Sequence, residues 1–286
     1  MAPFIVIIAA VCGVGIGILS GMLGIGGGAQ MVPIFRLGFG LSAITAVATS
    51  LFAIVPTSAV GCVTHIRNKT CIPKLGVIAG ISGACMSPVG VALANQSPSW
   101  AIMLAAGCVI VYAAYNMIIK GLRLPKKAAA GAAQMDVSSA IPSEATDFSA
   151  VPVEPAADLT AADLGKRIWL GIPIGMVAGL AAGYVGVGGG FIMVPMFLAL
   201  IGVMMKQAAG TSLIAVCILA IPGVIEQALL GNINYTIGIA TFVGSIPGAI
   251  IGANLIRNIP ERTLRLAFGA VLVVTGVFLV LNEFMF

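Results

Sequence analysis

Apolar residues along this chain gather into ten stretches, at roughly 3 to 23, 29 to 40, 42 to 65, 75 to 94 and 99 to 120, then 168 to 185, 191 to 203, 207 to 230, 235 to 256 and 264 to 282. Several reach the roughly 20 residues that an α-helix needs to cross a hydrocarbon core. None shows the alternating pattern, about ten residues long, of a membrane β-strand. The pattern predicts an all-α integral membrane protein with about ten transmembrane segments. Glycines and prolines inside the stretches predict closely packed helices with breaks. The first stretch, from Pro3 to about Leu23, has no basic residues ahead of it and is long for the apolar part of a signal peptide, so it reads as a retained helix.

The chain also repeats itself. Displacing it by 162 residues lays Gly24-Ile25-Gly26-Gly27-Gly28 on Gly186-Val187-Gly188-Gly189-Gly190 with no gap. The same offset pairs Met31-Val32-Pro33 with Met193-Val194-Pro195, Phe35 with Phe197, and Thr49-Ser50-Leu51 with Thr211-Ser212-Leu213. It also pairs Gly13, Gly17 and Gly21 with Gly175, Gly179 and Gly183, a spacing that lets two helix backbones approach closely. Residues 1–122 and 168–286 therefore read as two copies of one five-segment unit. An odd number of crossings per copy turns the second copy over. The expectation is two inverted repeats with broken helices at the glycine-rich motifs, the plan of secondary transporters, whose halves enclose a site near the midplane.

Composition and charge extend this picture. Of the 286 residues, 60% are hydrophobic and 8% charged, with a mean hydropathy of +1.14, more apolar surface than a soluble domain of this size can bury. The net charge of +5 does not indicate nucleic acid, because the basic residues sit at the ends of apolar stretches. With ten crossings, thirteen of the fourteen Lys and Arg fall on one side and Arg36 alone on the other. That bias places the basic loops in the cytoplasm and both termini outside. Were the second segment of each copy re-entrant, the split would weaken to nine against five. Residues 123–167 carry four prolines and six of the nine acidic residues and read as a solvated cytoplasmic linker.

Little else in the chain carries chemistry. One histidine, and no HExxH, GxSxG or metal-spaced cluster, argue against an enzyme, a cofactor or a metal site. The six cysteines lack CxxC spacing and read as small packing residues. The strongest local signal is Gly26, Gly27 and Gly28, with their counterparts Gly188, Gly189 and Gly190. They join two apolar helices rather than a strand to a helix, which sets aside a nucleotide loop. The segment after Gly190 would cover only about 20 Å of a core about 30 Å thick. Its glycines would then lie unwound within the membrane, with the helix that follows aiming free N–H groups at a small anionic substrate. A tight turn between packed helices is the alternative. Thr49, Ser50, Thr211 and Ser212 recur once per copy; their hydroxyls could serve an anion or bond their own backbone. His65 and Glu226, towards helix ends, are candidates for proton coupling or for simple interfacial placement.

The doubled G-[IV]-GGG-x-x-MVP-x-F motif, the Thr-Ser-Leu that follows it and the basic internal loop resemble the TauE/SafE family, the sulfite exporter and related anion permeases. The resemblance covers residues 4–122 and 168–283 and leaves out the linker. It implies a multi-pass protein of a prokaryotic plasma membrane that carries sulfite, thiosulfate, sulfoacetate, a related organosulfonate or another small organic anion, and the inverted repeat adds the expectation of alternating access. An anion channel and a carrier of neutral or cationic solutes are the alternatives.

Overall fold

The computed structural model describes residues 3–122 and 167–285, and among these every regular element is a helix. The linker expected over 123–167 lies, apart from Arg167, outside the described residues. Ten α-helices follow in two sets of five. The first set is α1 (Pro3–Leu23), α2 (Gly28–Pro33), α3 (Ala43–Arg67), α4 (Pro73–Gln96) and α5 (Ser99–Leu122). The second is α6 (Gly171–Val185), α7 (Gly190–Met196), α8 (Met205–Leu229), α9 (Tyr235–Leu255) and α10 (Glu261–Met285). The two short helices, α2 and α7, each contain a proline, Pro33 and Pro195, and run on into wider π turns at Ile34–Gly38 and Phe197–Ile201. A proline removes a backbone donor and crowds the preceding turn, which favours such widening. Six spans among the described residues are long and apolar enough to cross a membrane: α1, α3, α4, α6 with the 3-10 turn before it, α8 and α9 with the turn after it.

The dominant contacts join one copy to the other. Helix α1 packs along α9, and its counterpart α6 packs along α4. These contacts run through glycine against bare backbone. Gly13, Gly17 and Gly21 face Thr241, Ser245 and Ala249, while Gly175, Gly179 and Gly183 face Ala79, Gly83 and Ser87. Residue numbers rise together along both pairs, so the paired helices are parallel. Equivalent helices, in contrast, meet head to tail. Gly61 of α3 touches Leu213 of α8 while Gly223 touches Leu51, and Gly121 of α5 meets Arg265 while Gly276 meets Ile110. Helices α3 and α8 lie at the centre, each lined by buried residues along most of its length.

The charged ends follow from these directions. Asn68, after α3, donates to Ala253 O and Asn254 Oδ1 near the end of α9. Lys206, opening α8, donates to Arg257 O at 2.8 Å, and the Met205 amide reaches Glu261 Oε1 at the start of α10. Arg67, Lys69, Lys74, Lys206, Arg257, Arg262 and Arg265 thus collect at one end of the bundle. Arg36, at the close of the α2 segment, lies at the other.

The glycine contacts lead to a paired prediction. A methyl group on Gly17 would press into the Ser245 backbone, whereas one on Gly15, on the same helix, meets nothing within 4 Å. Gly17→Ala should lower the melting temperature in detergent sharply. Gly15→Ala should leave it unchanged or raise it, since alanine is favoured over glycine in a helix by up to about 1 kcal/mol. Equal effects would contradict the packing.

Candidate functional site

Each short helix starts at a break whose backbone suits glycine. Gly24, Gly26 and Gly27 have φ of 75°, 79° and 86°, and Gly186, Gly188 and Gly189 repeat this with 73°, 79° and 66°. A β-carbon is disfavoured in that left-handed region. Gly28 and Gly190 are glycine for a different reason, which is space. A β-carbon on Gly28 would lie 2.7 Å from the Val187 carbonyl oxygen, and one on Gly190 would lie 2.6 Å from that of Gly24. The two breaks therefore cross in contact. They do so halfway along α3 and α8, where the equivalent residues Ile54 and Val216 both flank Gly26 and Gly188. Every residue from Leu23 to Pro33 and from Val185 to Phe191 is buried.

An unwound backbone in such an interior needs partners for its polar groups. The Thr-Ser pairs supply several of them, across the two copies. Ser50 Oγ donates to Gly186 O at 2.6 Å and shares its proton with Val47 O at 2.8 Å. Ser212 Oγ does the same to Gly24 O at 2.6 Å and Ala209 O at 2.8 Å. Thr49 Oγ1 accepts from the Asn234 amide at 3.0 Å, and Thr211 Oγ1 from the Ile72 amide at 2.9 Å, at the starts of α9 and α4. The four hydroxyls expected to face an anion are thus engaged with backbone of the opposite copy. The amides of Gly26, Gly27 and Gly28 find no acceptor among the described residues.

His65 is fully buried at the end of α3, with Nε2 2.8 Å from Gly21 O and Nδ1 2.7 Å from Thr70 Oγ1. Its counterpart Gln227 accepts from Asn232, which stands where the first copy has Thr70, at 2.7 Å. This tie therefore recurs at both ends of the bundle. Glu226 lies beside Gln227 at the opposite end from His65, and its Oε2 is buried without a partner.

A further group escaped the sequence reading. Ser20, Gln30 and Ser58 are buried side chains with unpartnered polar atoms. Ser58 Oγ lies 3.3 Å from where a β-carbon on Gly26 would sit, Ser20 Cβ lies 3.6 Å from that position on Gly27, and Gln30 occupies the first turn of α2. Their counterparts in the second copy are Ser58 to Ala220, Ser20 to Ala182 and Gln30 to Ile192. The signal was present in the repeat as a mismatch, polar in one copy and apolar in the other, which a search for matches passes over.

Six long apolar helices packed around two crossing glycine breaks make this a multi-pass helical membrane protein. The chain belongs to the TauE/SafE family, since the family model described as Sulfite exporter TauE/SafE matches residues 9–279. It is 24% identical over 280 residues to the probable membrane transporter protein YunE of Bacillus subtilis, covering 94% of this chain and 95% of that one. It is 25% identical over 274 residues to the probable membrane transporter protein YjnA of the same organism, covering 94% and 97%. No solved structure matches the chain.

The cross-copy bonds can be tested singly. Ser50→Ala strands the Gly186 carbonyl and Ser212→Ala that of Gly24, each at a cost of about 1 to 3 kcal/mol. Both variants should melt earlier than the parent in detergent. Thr275→Val should cost less, because Thr275 Oγ1 merely returns to Val271 O on its own helix. A melting temperature unchanged by either serine variant would remove these bonds from the account.

Proposed function

We propose that this transporter carries a small sulfur-containing oxyanion by alternating access, and that the anion binds where the two glycine breaks cross. The observation that carries this reading is the coincidence, in one buried place, of the free amides of Gly26 to Gly28 and the unpartnered hydroxyls of Ser20 and Ser58. A buried polar group without a partner costs about 1 to 3 kcal/mol, a cost that a ligand making those bonds removes. The donors are neutral, and the cationic side chains named above lie at the ends of the bundle. An oxyanion is the ligand that neutral N–H and O–H donors serve best, where glycine permits close approach. The family's name points to sulfite; thiosulfate and sulfoacetate present similar oxygens.

The membrane arrangement in this proposal has ten crossings. Helices α1 and α3 both run parallel to α9, so residues 24–42 return the chain across the bilayer between them. They do it in two parts. An unwound part descends from Gly24 to mid-depth, and a helical part from Gly28 to Gly38 completes the passage. Residues Gly186 to Val203 make the same passage in the other direction, since α8 runs antiparallel to α3. The cationic end then faces the cytoplasm of a prokaryotic cell and the termini lie outside. An inverted pair of breaks gives one site with two equivalent approaches, which is what alternating access requires.

The serines separate function from folding. Because Ser20 and Ser58 have no partner among the described residues, Ser20→Ala and Ser58→Ala, which copy Ala182 and Ala220, should leave the melting temperature intact. In proteoliposomes each should weaken saturable sulfite or thiosulfate uptake by about 5- to 30-fold, the scale of one hydrogen bond to a charged ligand. Trans-stimulation of that uptake marks a carrier rather than a channel. Uptake that ignores both substitutions, or an anion panel that does not compete, would end the proposal.

Of the two candidates for proton coupling, His65 and Glu226, the bonding favours Glu226. The tie of His65 is matched by Gln227, which does not titrate, whereas Glu226 holds a buried oxygen with no partner. Glu226→Gln should therefore flatten the pH dependence of uptake, while His65→Gln keeps it. The reverse result would move the coupling to His65.

A further inference from the structure

The strongest unassigned feature outside the glycine breaks is a crevice of about 470 Å³ between α3 and α9, at the cationic end. Its deeper walls are Ala59, Val60, Val63 and Ile250, and its mouth is formed by Arg67, Asn68 and Asn254. Val63 and Ile250 are exposed, at 50% and 41%, on two spans suited to cross the membrane, so this apolar wall faces the bilayer. From Ala59 to Arg67 the wall runs about 12 Å along the helix. Arg67 has no carboxylate partner among the described residues. Asn68 is held by its bonds to Ala253 O and Asn254 Oδ1, which fixes the polar rim.

We infer that this crevice binds one anionic phospholipid of the leaflet at the cationic end, its phosphate on Arg67 and the Asn68–Asn254 rim, and an acyl chain against Val60, Val63 and Ile250. The layering decides the occupant. A free phosphate would need the rim but not the apolar wall, and a zwitterionic lipid would bring its own cation to Arg67. Anionic headgroups and basic pockets between spans at the cytoplasmic side are complementary in charge, and an arginine fork suits a phosphate.

The duplication supplies an internal control. At the same offset Arg67, Asn68 and Asn254 become Leu229, Leu230 and Ala92, and Thr64 of the crevice becomes Glu226. The equivalent place at the opposite end of the bundle thus lacks the cation and the amides and gains an acid. The packing of α3 on α9 does not by itself require these polar residues, since its counterpart, α8 on α4, does without them.

The test uses the full chain in detergent, with native mass spectrometry and thermal melting. Dioleoyl phosphatidylglycerol should remain bound as a single adduct and raise the melting temperature. Dioleoyl phosphatidylcholine, and inorganic phosphate without chains, should do neither. Arg67→Gln should reduce retention of phosphatidylglycerol at least fivefold. Val63→Trp, which fills the apolar part while keeping Arg67, should do the same, and Arg262→Gln, outside the crevice at the same end, should not. Equal retention of both lipids, stabilisation by phosphate alone, or retention indifferent to both Arg67→Gln and Val63→Trp would each overturn the assignment. None of these readouts depends on which solute is carried.

Discussion

Much of this fold answers to one constraint: the two stretches of unwound backbone at its centre carry polar groups that need partners where no water is at hand. A helix satisfies its own amides and carbonyls, and a break does not. For the carbonyls of Gly24 and Gly186 the structure meets it by exchange between the copies, and the amides of Gly26 to Gly28 stay free. Ser50 serves the carbonyl of Gly186, Ser212 serves that of Gly24, and the threonines beside them hold the first amides of α9 and α4. Each copy is therefore completed by the other. A single five-helix unit would leave a carbonyl of its break and an amide at the start of its fourth helix bare.

The same dependence shapes the packing. Glycine faces on α1 and α6 bring their backbones against α9 and α4, each belonging to the opposite copy. These are the closest helix contacts in the bundle and leave little room for sliding. The central contact of α3 with α8 is of another kind, made by side chains such as Leu213 against Gly61 and Ile54 beside Val216. The tight pairs thus tie each copy to the other. Motion compatible with this packing keeps the pairs α1–α9 and α4–α6 together and is absorbed at side-chain contacts and at the breaks.

Symmetry also sorts the buried polar residues. Those that recur in both copies, Thr49 with Thr211 and Ser50 with Ser212, hold backbone in place. Of those found in the first copy alone, Thr57 bonds Ala53 O and Ser245 Oγ, whereas Ser20, Gln30 and Ser58 have no partner among the described residues and gather about the first break. Their cost is borne in one half only, which makes the surroundings of the crossing polar on one side and apolar on the other.

The sequence alone indicated the helical class and, with the π turns counted as part of the helices they extend, the position of each helix to within about three residues, because these depend on composition and spacing along the chain. It also located both glycine breaks, since few residues other than glycine accept a left-handed backbone. The second helix of each copy, expected over 29 to 40 and 191 to 203, does begin at the break, and its proline turns it into a π segment that spacing alone did not show. What the threonines and serines bond to was decided only by tertiary structure. The partners of Ser50 and Ser212 lie 136 and 188 residues away, and a hydroxyl's type does not reveal which distant carbonyl the docking of two copies will bring to it. Likewise Ser20 and Ser58 became candidates only once α1 and α3 were placed against the break. The pattern of polar and apolar positions says that a residue is buried, but not what it is buried against.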